Sequence, residues 1–259
     1  MSENVKTINV FDGYVALIET WGGDECIVEA ARMSTGKGFQ GWGSSACDAC
    51  DINWANTVYE VCPECGGATN LSRGDEKLLA FLYNNKHMTP FEMAGMIIEV
   101  KAPIFVFREW HRHRTQSYNE MSARYVPLPD ENYIPTVERL MITSGTNKQA
   151  QGTGEVLTEV DARTFQKSLQ QSYVQAQLSY DLGLHMGVPK ELARLSVPVA
   201  RYSRMRASAN LRNWLAFLTL RQAPGAQYEI RQYANAVAEL IEENFPRTYE
   251  LFVKGESHG

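Results

Sequence analysis

Long hydrophobic runs are missing from this 259-residue chain. No apolar stretch approaches the roughly 18 residues that a membrane helix needs. The start, Met1-Ser2-Glu3-Asn4, lacks the basic-then-apolar order of a secretory signal. Both absences lead to the expectation of a cytoplasmic protein without membrane contact. Positive charge is also short. With 25 Lys and Arg against 30 Asp and Glu, the formal net charge is −5 and the pI about 5.6, which argues against a general nucleic-acid binder. A local absence is sharper. From Leu192 to Tyr228 there is no Asp, Glu or Lys, yet the window holds Arg194, Arg201, Arg204, Arg206, Arg212 and Arg221. Arginine without lysine favours forked recognition of phosphate or carboxylate. The alternative is pairing with acids elsewhere, such as those near 155–161 or 239–243. What is present is ordinary for a globular fold: 44% hydrophobic and 21% charged residues, and enough length for a sizeable core.

Periodicity divides the chain. Residues 6–19 read as a hairpin around a turn at Asp12-Gly13. Asp24 is placed to cap a helix through Met33 that buries Cys26, Ile27, Ala30 and Ala31. Residues 36–74 lose hydrophobic periodicity and read as an insertion. Helical spacing resumes from Asp75 to Lys86. Thr89-Pro90-Phe91-Glu92 is a helix-start pattern, Gly95 to Lys101 a strand, and Pro103 the start of a helix ending at Arg112, His113 and Arg114. A loop runs from Pro127 to about Gly154. Phe165, Leu169, Tyr173, Ala176, Tyr180 and Leu184 form a helical stripe that stops at Gly187. Pro189 opens a short helix, and 199–208 reads as a strand. Asn210 caps a helix to about Arg221, and Gln227 to Phe245 is a further amphipathic helix. There is no internal repeat. The fold class is α+β, helix-rich, with a small, mainly antiparallel sheet.

The densest chemistry lies in Arg112-His113-Arg114-Thr115-Gln116-Ser117-Tyr118-Asn119-Glu120-Met121-Ser122-Ala123-Arg124. Three guanidiniums beside hydroxyls and an amide suit a phosphorylated or planar anionic small molecule. On a continuous helix Arg108 would lie one turn from Arg112, and Trp110 one turn from Arg114. A surface salt-bridge network is the competing reading.

Arg112-His113-Arg114, seven residues, then Ser122 resembles the RHR-x7-S motif of flavin-dependent thymidylate synthases. His87-Met88-Thr89-Pro90-Phe91-Glu92 resembles that family's H-x-T-P-F-E stretch. Lys101-Ala102-Pro103-Ile104-Phe105-Val106, Ala30-Ala31-Arg32-Met33-Ser34 and Val188-Pro189-Lys190-Glu191-Leu192-Ala193-Arg194 resemble further segments, as does the Asn210-to-Arg221 helix. The resemblance covers nearly the whole chain outside 36–74. It implies methylation of dUMP, with methylenetetrahydrofolate as carbon donor and FAD, reduced by NADPH, as hydride carrier. It implies one synthase domain over 1–259 and a homotetramer with shared active sites. By the same resemblance Ser34, His87, Thr89, Arg112, His113, Arg114, Asn210 and Arg212 serve FAD. Glu109, Arg112, Glu120, Ser122, Arg124, Arg194 and Arg221 serve dUMP, and Arg112, Arg221 and His87 are the catalytic candidates. No cysteine sits in the matched segments, so ring activation by electrostatics replaces a cysteine adduct. Ser122 is a binding residue, since no adjacent base is evident to activate it. The chain departs from relatives at Glu109 (Gln in some), Met93 (often His), Ala216 (Asn in some) and Gly225 (His in some).

Four of the five cysteines form two CxxC pairs, Cys47/Cys50 and Cys62/Cys65, separated by eleven residues. That spacing matches a structural zinc ribbon. Disulfides are the alternative, disfavoured in a cytoplasmic chain, and a redox pair is another. Cys26 stands apart and reads as buried core. Trp42, Trp54 and Tyr59 are placed to stack on a partner. These features leave a second functional reading: a catalytically altered homologue that binds or regulates through the insertion. An unrelated nucleotide-binding enzyme is the third.

Overall fold

The structure, a computed structural model, describes residues 5–142 and 157–256. Strands β1 (Thr7–Val10), β2 (Gly13–Trp21), β6 (Gly95–Pro103), β7 (Ser117–Glu120) and β8 (Tyr202–Asn210) form a sheet in the order β1-β2-β6-β8-β7. Strands β3 (Trp42–Cys47), β4 (Ile52–Trp54) and β5 (Asn70–Gly74) form a second, antiparallel sheet in the order β4-β3-β5. The helices are α1 (Asp24–Arg32), α2 (Glu76–Asn84), α3 (Ile104–Trp110), α4 (Val137–Met141), α5 (Glu159–His185), α6 (Lys190–Ala193), α7 (Leu211–Arg221), α8 (Tyr228–Asn244) and α9 (Pro246–Glu256). The α+β class expected from sequence is what forms. None of these helices is long and apolar enough to cross a membrane.

The chain divides into two compact units: residues 1–18, 98–207 and 220–237, and residues 19–97, 208–219 and 238–259. In the first unit the β1–β2 hairpin pairs Val10 with Gly13, so its turn is Phe11-Asp12, one residue earlier than expected. Strand alternation buries Ile98, Val100 and Ala102 and leaves Glu99 and Lys101 on the more open face. Helix α3 buries Val106, Phe107 and Trp110. It stops at Trp110, so Arg112 and Arg114 lie beyond it rather than one turn from Arg108 and Trp110. Of the loop expected from Pro127 to about Gly154, α4 occupies Val137–Met141 and residues 143–154 lie outside the described ones. Helix α5 is capped by the Thr158 hydroxyl, which accepts from the Asp161 amide. It ends before Gly187, whose φ of 78° is the left-handed turn a C-terminal glycine provides. Of its apolar stripe only Tyr180 is buried, and Phe165 is exposed.

The second unit holds α1, α2, α9 and the 36–74 segment. Asp24 does not cap α1. Its buried carboxylate accepts from the Arg247 amide (2.9 Å), the Thr248 amide (3.2 Å) and the Thr248 hydroxyl (2.6 Å). It therefore satisfies the first-turn donors of α9, a helix the sequence reading did not foresee. Helix α1 buries Ile27 and Val28, while Cys26 is half-buried rather than core. Thr89–Glu92 is a single 3-10 turn rather than a helix start, because the chain must enter β6 at Gly95. Residues 36–74, read from sequence as lacking hydrophobic periodicity and as zinc-ribbon-like, contain the whole β4-β3-β5 sheet.

Candidate active site

In the first unit, the arginine-rich segment is a pinned turn. Tyr118 donates its hydroxyl to the carbonyls of His113 (2.7 Å) and Trp110 (3.2 Å). Trp110 Nε1 donates to Gln116 Oε1 at 3.1 Å in the buried layer beneath. Burial pushes the Tyr118 hydroxyl pKa up, so it stays a donor. Arg221 joins this turn from the end of α7. Its Nε donates to His113 Nε2 (2.8 Å), its Nη1 to Glu109 Oε2 (2.8 Å) and its Nη2 to the Glu109 carbonyl (2.8 Å). Accepting at Nε2 requires a neutral imidazole. Burial first, and the Arg221 charge second, lower the His113 pKa to about 4. Glu109, His113 and Arg221 are thus brought together.

Beside this turn lies a cavity of about 340 Å³ lined by Arg108, His111, Glu120, Ser122 and Arg194, with Ile104, Phe107 and Met121 as its apolar wall. Three expected nucleotide residues, Glu120, Ser122 and Arg194, therefore share one space. Arg194 has no ion-pair partner among the described residues. Arg124 pairs with Glu191 at 3.2 Å, and its amide donates to Ser122 Oγ at 3.3 Å. Arg112 and Arg114 are solvent-exposed and do not line this cavity. Sequence reasoning missed His111, which stacks on Phe107 and places Nε2 3.1 Å from Met205 Sδ. Arg108, which the sequence places with Arg112 near a helix end but not among the assigned nucleotide residues, lines the cavity as well. The signal was there, since both sit on the helix end that precedes Arg112.

The acid-free arginine window resolves into separate roles. Arg201 is fully buried and structural, donating to the Pro129 carbonyl (2.6 Å) and Gln177 Oε1 (2.7 Å). Arg204 and Arg206 face Glu99 at 4.0 and 3.5 Å. Arg212 pairs with Glu92, and Arg221 with Glu109. With Arg201 also 3.2 Å from Asp130, five of the six pair with acids elsewhere in the chain, the alternative reading, though among the described residues none of these acids comes from 157–161 or 239–243.

Of the expected flavin residues, Ser34, His87, Thr89, Asn210 and Arg212 lie in the second unit, where α1 packs on the Thr89–Glu92 turn, and Arg112, His113 and Arg114 lie in the first. Ser34 follows α1 and donates to the Ala31 carbonyl at 3.0 Å. Leu211 N donates to the Ala94 carbonyl at 2.7 Å, and the Arg212–Glu92 pair ties the start of α7 to the same turn. Asn210 Oδ1 accepts from the Asn213 amide at 3.0 Å, the capping role read from sequence. His87 meets the Phe81 ring edge-on at 5.5 Å. Met33, Phe81 and Met93 are exposed apolar side chains in this unit. Apolar surface, hydroxyls and a guanidinium are the donor set that a dinucleotide with an aromatic ring system requires, so the residues fit a flavin.

The four paired cysteines also converge. Cys47 and Cys65 sulfurs are 3.7 Å apart, Cys50 and Cys62 sulfurs 3.8 Å, and all four lie within 4.8 Å of one another. Four sulfurs at about 2.3 Å from a central zinc would stand about 3.8 Å apart, so the set fits tetrahedral zinc. The aromatic residues expected to stack on a partner are occupied internally. Trp54 meets Tyr59 edge-on at 5.4 Å, and Trp42 lies 4.3 Å beneath the Arg247 guanidinium.

These features coincide with a known family. Its profile, described as "Thymidylate synthase complementing protein", matches residues 16–247. A "Flavin-dependent thymidylate synthase" of Thermus thermophilus is 37% identical over 251 residues, covering 96% of this chain and 79% of the relative. One from Pseudothermotoga lettingae is 34% identical over 254 residues, covering 98% and 96%. A crystal structure of a UMP/dUMP methylase, PolB, from Streptomyces cacaoi bound with 5-Br dUMP is similar at a TM-score of 0.72 and 30% identity, covering 95% and 96%. With its pinned arginine turn matching RHR-x7-S and its length matched almost end to end, the chain belongs to the flavin-dependent thymidylate synthase family.

Proposed function

We propose that the protein is a flavin-dependent thymidylate synthase that methylates dUMP to dTMP. The observation that carries this reading is the first unit's cavity. It sets the guanidiniums of Arg108 and Arg194 with Glu120 and Ser122 beside the Arg112–Arg114 turn. Cationic forks bind a phosphate monoester, and an acceptor with a hydroxyl suits a deoxyribose or pyrimidine edge. The catalytically altered, partner-binding alternative is not favoured, since the relatives are named as synthases and the solved neighbours as methylases.

Arg124, Ser122, Glu120 and Arg194 hold dUMP. Arg112 and Arg221 polarise the pyrimidine carbonyls, which makes C5 nucleophilic without a cysteine adduct. Glu109 and His113 hold Arg221 by three bonds of 2.8 Å, so its charge is preorganised before substrate arrives. Ser34, His87, Thr89, Asn210 and Arg212 bind FAD, with Arg112, His113 and Arg114. Met93, Ala216 and Gly225 leave fewer polar contacts to it than some relatives have. Bound FAD, reduced by NADPH, supplies the hydride that turns the transferred methylene of methylenetetrahydrofolate into a methyl group. Zinc occupies the four-cysteine cluster of a 36–74 insertion in one 1–259 synthase domain. The enzyme works as a cytoplasmic homotetramer, which the exposed row of Val174, Leu178 and Leu182 on α5 supports.

The test is Arg112→Ala. Its side chain is exposed, so folding should be retained while dTMP formation is lost. Wild-type turnover in that variant would remove the assigned role.

A further inference from the structure

The insertion has no core of its own. Across the described residues of 36–74, the buried positions are Gly43, Ser45, Cys47 and Cys62. Two of these four are cysteines of the cluster. A 39-residue segment that buries no Leu, Ile, Val or Phe has its four-cysteine centre in place of an apolar core, so metal binding there would be coupled to folding of the segment.

Asp75 fastens this segment to α1. It follows β5, and its side chain is fully buried. The carboxylate accepts from Arg32 Nε at 2.9 Å, from Arg32 Nη2 and from the Gln40 amide at 2.7 Å. Its own amide donates to the Gly41 carbonyl at 3.1 Å. One residue therefore ties the end of the insertion both to its beginning and to the last residue of α1. A second fastening lies on α9. The Arg247 guanidinium stacks on Trp42, pairs with Glu76 and donates from Nη2 to the Asn56 carbonyl at 2.8 Å.

Arg32 is two residues from Ser34. Its carbonyl accepts from Thr35 Oγ1 (2.9 Å) and the Lys37 amide (3.3 Å), so the position of Arg32 sets the 3-10 turn Met33–Thr35 that presents Ser34. We propose that metal in the Cys47-Cys50-Cys62-Cys65 cluster and flavin at the Ser34 segment are thermodynamically linked through the Asp75–Arg32 pair. This rests on the zinc and flavin readings above. Losing the metal frees β3 and β5, the carboxylate leaves Arg32, and the turn loses its anchor. Linkage is reciprocal, so bound flavin strengthens metal retention by the same factor.

The experiment uses full-length protein with metal content measured directly and FAD affinity read by flavin fluorescence. Four samples are compared: zinc-loaded and zinc-stripped wild type, and zinc-loaded and zinc-stripped Asp75→Asn. Stripping wild type is expected to weaken FAD about fivefold or more, the usual lower range of such couplings. Zinc-loaded Asp75→Asn should show a similar weakening with its metal intact, and stripping it should weaken FAD no further. Arg32→Gln tests the same link should Asp75→Asn fail to fold. Equal FAD affinity with and without zinc overturns the link. Failure of the cluster to take up zinc overturns it through the metal reading, and failure of zinc-loaded wild type to bind FAD overturns it through the flavin reading. The two readouts tell these cases apart.

Discussion

At the scale of the residue, Arg221 is the most constrained charge near the proposed nucleotide cavity. Glu109 and His113 accept all three of its bonds, and His113 can do so only when neutral. The sign of the resulting pH effect follows. The folded pKa of His113, about 4, lies below its ordinary 6.5. Between those values the unfolded chain takes up a proton that the folded chain refuses, so this contribution is fully present above about pH 6.5 and is lost as pH falls towards 4. An NMR titration of the His113 ring should show a midpoint near 4, moving upward in Arg221→Ala as the neighbouring charge is removed. A midpoint near 6.5 in the wild type would mean that the ring is not held as described. The arginine triple and Ser122 were legible in sequence because they are contiguous. The Arg221–Glu109 contact joins residues 112 apart, and no local pattern carries it.

At the scale of the element, what was read correctly was local and what was missed was tertiary. Asn210 caps α7 with a residue three positions on, and that relation is written in the chain. Asp24 looked like the cap of α1 by the same logic, but its carboxylate serves α9, 223 and 224 residues away. Asp24→Ala should therefore cost about 2–4 kcal/mol in denaturant unfolding, because it leaves the buried donors of Arg247 and Thr248 unmet. A loss below about 0.5 kcal/mol would show that α9 docks without it. Gly95 is a second sensitive point. A Cβ there would lie 2.3 Å from the Trp21 ring and 2.5 Å from the Ala209 carbonyl. Gly95→Ala should destabilise by roughly 1–3 kcal/mol through overpacking at the start of β6, a loss that thermal melting would detect. The Thr89-Pro90-Phe91-Glu92 pattern carries the local marks of a helix start, and the need to enter β6 limits it to one turn.

At the scale of the whole molecule, the α+β class and the family were legible because the matched segments run through nearly the full length. The four-cysteine site was legible from its CxxC spacing alone. The sheet of the same segment was not, because β3, β4 and β5 pair backbones with almost no buried apolar side chains to mark them. Replacing Cys47 and Cys50 with Ser should release one zinc per chain; unchanged metal content would remove the ribbon assignment.

The most direct measurement is anaerobic turnover of dUMP with methylenetetrahydrofolate, NADPH and added FAD, with the flavin spectrum followed alongside. The expected result is dTMP formation with reoxidation of the reduced flavin as substrates are added. Reduced flavin that stays reduced, with dUMP recovered unchanged, would contradict it.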